Sequence, residues 1–273
     1  KDVYDVLEEL QDSMAKSSVG LYSELLTAIV RDVMGDQGTE IQLEPSMHGN
    51  RPALNVYGIN NGEKEDIVES QGGSINNLLS AGFRFIALAL SSERRFVVLD
   101  ESDCWVSVDL VPRFIEVLDR LCSEMGVQAI FISHHTQSNE LPIYKIELSP
   151  GTNGFCVDVH DERVESDADK QFNADMLEGI AIKQIRLTNY MSHVDTVLPL
   201  SAGLTTLVAP NNLGKSVVTR ALSDLMTNNR LSSRIRHDQD VASVSLILED
   251  HIELRWSLAL TKSAKPKATY LIK

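Results

Sequence analysis

The chain has 273 residues, 43% hydrophobic and 23% charged, the composition of a globular protein that can bury one large core or two modest lobes. Its 39 acidic residues outnumber 25 basic ones for a net charge of −14, which excludes a surface that grips nucleic acid everywhere. No apolar run nears the roughly 18 residues of a bilayer span, no signal peptide is visible, and Cys104, Cys122 and Cys156 lack metal-ligand spacing, so a cytoplasmic or nucleoid-associated protein with no membrane contact is expected.

In chain order, Val3, Val6, Leu7 and Leu10, then Leu21, Leu25, Leu26, Ile29 and Val30, predict a helix over 3–34 closed by Gly35 and Gly38. Short strands are expected at Glu40–Leu43 and Ala53–Tyr57, separated by Pro45, Gly49 and Pro52. A helix follows from Ser74 to Ser91, then a buried strand at Phe96–Leu99. Pro112–Met125 has helical periodicity, Ala129–Ser133 reads as a second buried strand, and Tyr144–Leu148 with Phe155–Val159 as a hairpin. The acids, amides and alanines of 161–178 read as a linker. Beyond it come an alternating strand at Ile180–Leu187, a strand at Thr205–Val208, a helix at Ser216–Leu225, and a hairpin from Val241–Leu248 and His251–Leu260.

Between the strand ending at Val208 and the following helix lies Ala209-Pro210-Asn211-Asn212-Leu213-Gly214-Lys215-Ser216, with Val217 next. This is the strand-loop-helix setting of a phosphate loop (Walker A), with Ala209 where glycine is usual. Backbone N–H groups at a helix start favour an anion, so Ala209, Asn211, Asn212, Leu213, Gly214 and Val217 are expected to cradle phosphate. Lys215 is expected to reach phosphate oxygens, and Ser216 to offer a hydroxyl to Mg²⁺. ATP and Mg²⁺ are the expected ligands.

Far upstream, Phe96-Val97-Val98-Leu99-Asp100-Glu101 ends an apolar strand in two acids (Walker B). Asp100 is expected to hold Mg²⁺ through water, and Glu101 to act as general base on the attacking water. One strand later, Ile130-Phe131-Ile132-Ser133-His134-His135 puts an imidazole at the same sheet edge, with His134 preferred over His135 as the γ-phosphate contact. In most phosphate-loop ATPases the loop precedes the acidic strand. Here the order is reversed.

These residues resemble the ATP-binding-cassette (ABC) heads of SMC and SbcC-like DNA repair and recombination ATPases. The resemblance implies an α/β fold of two lobes, with a mixed β-sheet core flanked by helices. Residues 1–160 resemble the family's C-terminal lobe and 179–273 its N-terminal lobe, joined by the acidic linker at 161–178. Lys1 and Lys273 would then be the two cut ends of an absent coiled coil and Met176 an original start; a natural permutation and an engineered one both fit. Ser102–Asp109 resembles a D-loop, and Ile185-Arg186-Leu187-Thr188-Asn189-Tyr190 the opening strand, which makes Arg186 a nucleotide contact. Glu69-Ser70-Gln71-Gly72-Gly73-Ser74 resembles the signature motif, in which Ser70, Gly72 and Gly73 would meet a partner's nucleotide. Leu79-Ser80-Ala81-Gly82 is a second candidate. A helix begun at Gly73 is roughly 27 Å long, against about eleven residues from Ser80, which favours Ser70. The family's Q-loop glutamine has no match, because Gln239, the sole glutamine after the phosphate loop, sits in Asp238-Gln239-Asp240.

The resemblance implies an ATPase that homodimerises through two ATP-sandwiched composite sites. It would act on DNA indirectly or through a local patch, with a nuclease subunit as possible partner. A structural DNA-bridging clamp with little turnover is the alternative. A transporter nucleotide-binding domain fits less well, because it needs a membrane-coupling surface around a Q-loop.

Overall fold

A computed structural model describes residues 3–35, 38–49, 51–60, 62–67, 72–92, 94–135, 141–151, 154–163, 181–210, 213–261 and 266–273. Contacts divide the chain into two compact units, Lys1–Ser92 with Ser102–Val117 and Glu93–Glu101 with Leu118–Lys273. Among the described residues there are four α-helices and mixed sheets, an α/β protein.

The first unit holds α1 (Val3–Met34), the antiparallel strands β1 (Glu40–His48), β2 (Arg51–Asn60) and β3 (Glu63–Asp66), and α2 (Gly73–Leu90). Leu26, Ile29, Val30 and Val33 make one buried face of α1, and Ile41 and Leu43 alternate inward from β1. The outer edge of β1 is covered by helix hydroxyls: Ile41 N–H donates to Thr27 Oγ1 (2.8 Å) and Leu43 N–H to Ser23 Oγ (3.0 Å). This explains why both strands run through the prolines read from sequence as breaks. Residues 41, 43 and 45 share one parity, so the N–H that Pro45 lacks would point off the sheet. Pro52 pairs with Met47, of that same parity, and β3 pairs only with Tyr57–Asn60, so no ladder bond is lost there either.

Helix α2 begins at Gly73, with Gly72 as its N-cap, and crosses α1 at Gly82. A Cβ on Gly82 would come within 2.5 Å of Leu26 Cδ2 and 3.1 Å of Ile29 Cδ1. The following helix α3 (Val111–Met125) buries Val111, Phe114, Ile115, Leu118 and Cys122 along one stripe, and the division between units falls within it.

The second unit is built on two sheets. One runs in the order β4 (Phe96–Asp100), β5 (Gln128–Ser133), β10 (Leu204–Val208), β6 (Tyr144–Gly151), β7 (Gly154–Asp161). The first four of these are parallel and β7 is antiparallel. The other is antiparallel, in the order β13 (Lys267–Ile272), β12 (Glu253–Ala259), β11 (Val241–Leu248), β8 (Ile182–Tyr190), β9 (His193–Pro199). Strand β10 enters between β5 and β6, with Leu204 opposite Ala129 and Thr206 opposite Lys145. The two sequence blocks therefore share one sheet, and residues 164–180, most of the expected linker, lie outside the described residues. Buried Gln128 ties the blocks further: its Nε2 donates to Ile182 O (2.8 Å) and Ser201 O (2.7 Å), and its Oε1 accepts from Ile182 N–H (2.9 Å).

Helix α4 (Lys215–Thr227) follows β10 and buries Val218, Ala221, Leu222 and Leu225. Strands β3, β9 and β13 escape the sequence reading. The first is a run of charge and the last an exposed edge, so neither carries apolar alternation. No helix among the described residues is long and apolar enough to cross a membrane.

Candidate phosphate-binding site

Strand β10 is buried along its whole length and delivers Ala209, itself fully buried, to the start of the loop. Gly214 closes the loop in the left-handed region (φ 78, ψ 14) as N-cap of α4, and no side chain caps that helix start. A Cβ there would come within 2.8 Å of Ser192 Oγ, 2.9 Å of His193 Nε2 and 3.2 Å of Phe155 Cε2. Glycine is thus required twice, for its φ and for the close seat of the loop on the β8–β9 turn. Lys215 is buried, and its Nζ donates back to Ala209 O and to Pro210 O (3.2 Å).

The parallel register brings the tip of β4 to this loop. Ser216 Oγ donates to Asp100 Oδ1 at 3.5 Å, a loose contact. Glu101, next along, has φ 51, a left-handed conformation that costs a non-glycine residue roughly 1 kcal/mol. Its N–H still donates to Ile132 O (2.9 Å), so the strain turns the side chain without breaking the ladder. Glu101, Leu213, Gly214, Lys215, Ser216 and Val217 line one cavity of about 500 Å³. His134 Nδ1 lies 4.0 Å from Glu101 Oε1, too far for a hydrogen bond, and has no hydrogen-bond partner among the described residues. The backbone N–H of His135 donates to Ser133 Oγ (3.0 Å), and its ring centroid lies 4.5 Å from that of His134.

Other expected contacts fall elsewhere. Arg186 projects from β8 into a two-pronged pair with Asp195 (Nε–Oδ1 2.8 Å, Nη2–Oδ2 2.7 Å), which raises the guanidinium pKa and lowers the carboxyl pKa, and it does not line the cavity. Gly72 and Gly73 belong to the first unit, where Trp105 packs over Gly73 and its carbonyl accepts from Ser74 Oγ. Ser80 sits well inside α2, away from the helix N-terminus. Ser70, Asn211 and Asn212 lie outside the described residues.

Two lining residues, Ser192 and Arg220, were not read from the sequence. Arg220 was findable, because it stands one helical turn beyond Ser216 on the same face. Ser192 depends on the β8–β9 turn reaching the loop. Beneath that turn lies buried His193, its Nδ1 2.9 Å from Thr196 Oγ1 and its Nε2 3.2 Å from Gly214 O. Burial lowers its pKa, so the imidazole is held neutral.

A second buried group anchors α4. Asp224 accepts from Tyr190 Oη (2.5 Å), Arg234 Nε (2.6 Å) and Asn229 Nδ2 (2.8 Å). Burial, and then the bond to Asp224, push the Tyr190 phenol well above its ordinary pKa, leaving it a donor at any working pH.

No protein-family model matches the chain, and a search of curated proteins finds no match to it. The site's chemistry therefore carries the functional argument. A cation on the loop, a hydroxyl facing a carboxylate, and a second carboxylate beside an imidazole suit the binding and hydrolytic cleavage of a phosphoanhydride.

Proposed function

We propose that the chain is an ATP-binding and hydrolysing head of the ABC type found in SMC and SbcC-like DNA repair and recombination ATPases. The observation that carries this reading is the convergence of Lys215, Ser216 and Glu101 at one cavity, with Ser216 Oγ 3.5 Å from Asp100 Oδ1. The insertion of β10 between β5 and β6, followed by loop and helix, supports the ABC architecture.

The residues fit a magnesium nucleotide. Lys215 and Ser216 line the cavity at the start of α4, and Ser216 with Asp100 makes the hard oxygen pair that magnesium takes. Bound Mg²⁺ would supply charge neutralisation on the β- and γ-phosphate oxygens. Lys215 exchanges its loop carbonyls for phosphate oxygens, a change from neutral acceptors to charged ones. Ser216 and Asp100 would hold the metal. Glu101 orients a water and takes its proton, helped by the turned backbone that aims the carboxylate into the cavity. His134, beside Glu101, contacts the terminal phosphate and keeps the water in line. A dimer with two composite sites, a role in DNA end processing, and a nuclease partner follow from the same resemblance.

The test is Mg-ATP turnover and mass by light scattering. Wild type should hydrolyse ATP, Lys215→Ala should lose binding, and Glu101→Gln should accumulate as an ATP-bound dimer. The bridging clamp is favoured by one observation: Gln239 is exposed, its N–H held by Arg236 O (3.1 Å), and it does not line the cavity. A clamp predicts an ATP-dependent dimer in wild type with little turnover, and little change in Glu101→Gln.

A further inference from the structure

We propose that Arg220 is a second cation of the phosphate site, its guanidinium binding a phosphate oxygen of the nucleotide alongside Lys215. This inference rests on the phosphate-binding reading above.

Arg220 is exposed, and it lines the same cavity as Lys215, Ser216 and Glu101. Four residues beyond Ser216, it projects from the same face of α4 one turn higher. The neighbouring arginines are committed. Arg234 is held by Asp224 at 2.6 Å, Arg236 by Ser192 O at 3.1 Å, and Arg186 by Asp195 at 2.7 Å.

Arg220 differs. Among the described residues its one hydrogen-bond contact is Met191 Sδ at 4.0 Å, a weak neutral acceptor for a group with five donors. Met191 is a fixed rest for it. Its backbone is left-handed (φ 52), its N–H donates to Arg234 O (2.9 Å), and its sulfur also lies 4.0 Å from Arg234 Nη1. At the cavity wall its guanidinium has no carboxylate partner among the described residues. A phosphate oxygen would displace the thioether readily, because a charge-assisted, fork-shaped contact replaces a weak one.

Equilibrium binding of Mg-ATP and Mg-ADP to the full chain, at several salt concentrations, tests this with Arg220→Gln, Arg220→Lys and Lys215→Ala. Arg220→Gln should weaken binding roughly 10- to 100-fold and flatten its salt dependence. Arg220→Lys should recover part of the loss, and melting without nucleotide should not move. Unchanged affinity in Arg220→Gln, with binding lost in Lys215→Ala, would overturn the role of Arg220 and leave the phosphate site standing. Weakened binding with an equal fall in nucleotide-free melting, and no recovery in Arg220→Lys, would make Arg220 structural and overturn it as well. Absence of Mg-ATP binding in wild type would remove the phosphate reading, and this inference with it.

Discussion

Ser216 Oγ and Asp100 Oδ1 lie 3.5 Å apart although 116 positions separate the residues in the chain. At that distance the two oxygens barely bond, so the pair adds little to stability. Asp100→Asn should leave the thermal midpoint within a degree or two, roughly the shift of a ±0.5 kcal/mol change in a protein this size. It should raise the Mg²⁺ concentration needed for half-maximal ATP turnover at least about tenfold, for loss of a charged ligand. A magnesium titration of turnover, beside a melting curve, checks both parts. A large fall in midpoint would mean that the pair is structural.

Gly214→Ala should be severe. The new Cβ meets Ser192, His193 and Phe155 at a residue held at φ 78, and two of the three contacts are under 3.0 Å. Overpacking and left-handed strain together are expected to cost about 2–5 kcal/mol. The loss should appear in denaturant unfolding, and nucleotide binding should be absent even where the variant is folded.

Seating the loop on a neutral imidazole makes it sensitive to acid. The folded-state pKa of His193 is below the usual 6.5 because burial disfavours the charged form. Between the lowered value and about 6.5 the unfolded chain binds the extra proton and the folded chain does not. Stability therefore rises with pH through that window, is fully present above about 6.5, and is lost as pH falls toward the folded value. His193→Gln should remove this part of the slope in urea midpoints measured from pH 7.5 to 5. An unchanged slope would show that His193 is not its source.

Asp224 should be the least replaceable acid of the second unit. It is 2% exposed and answers three donors from three parts of the chain. Asp224→Ala leaves Arg234 without its carboxylate and is expected to cost on the order of 3–5 kcal/mol. Tyr190→Phe removes one charged hydrogen bond of the three and should cost about 1.5–3 kcal/mol. Denaturant midpoints of the two variants test the ranking, and the reverse order would contradict it.

In the first unit, Gly82→Ala should destabilise by about 1–3 kcal/mol through overpacking against Leu26, partly offset by alanine's better helix propensity. Leu26→Ala alone leaves a cavity and costs about 2–5 kcal/mol. Combined, the two should fall short of their sum, since each supplies the room or the volume that the other lacks. Strict additivity in unfolding would show that the helices do not meet there. This contact also bears on the Leu79-Ser80-Ala81-Gly82 pattern: its glycine serves helix packing, and its serine sits mid-helix.

Much of the fold could be read in local windows. Strand β11 spans Val241–Leu248 as read for the hairpin, α2 begins at Gly73 where the helix-length argument starts it, and Gly214 lies between strand β10 and helix α4. Periodicity, glycine placement and caps act over a few residues, so a chain written in any order displays them. The strands passing through Pro45 and Pro52 were not legible, because whether a missing N–H matters depends on which way it points in a sheet not yet assembled.

Tertiary structure alone decided the rest. It put β10 between β5 and β6, brought Ser216 to Asp100 and the Met191–Ser192 turn to the loop, and turned Arg186 to Asp195 and away from the cavity. Those outcomes rest on which apolar faces are buried together and which strand edges complete each other's hydrogen bonds. Both are properties of residues far apart in the chain, and no local pattern encodes the partner. The amino-acid order by itself determined which chemical groups are offered: a lysine and serine after a glycine, two acids ending a strand, an imidazole one strand on. Packing determined which of them meet.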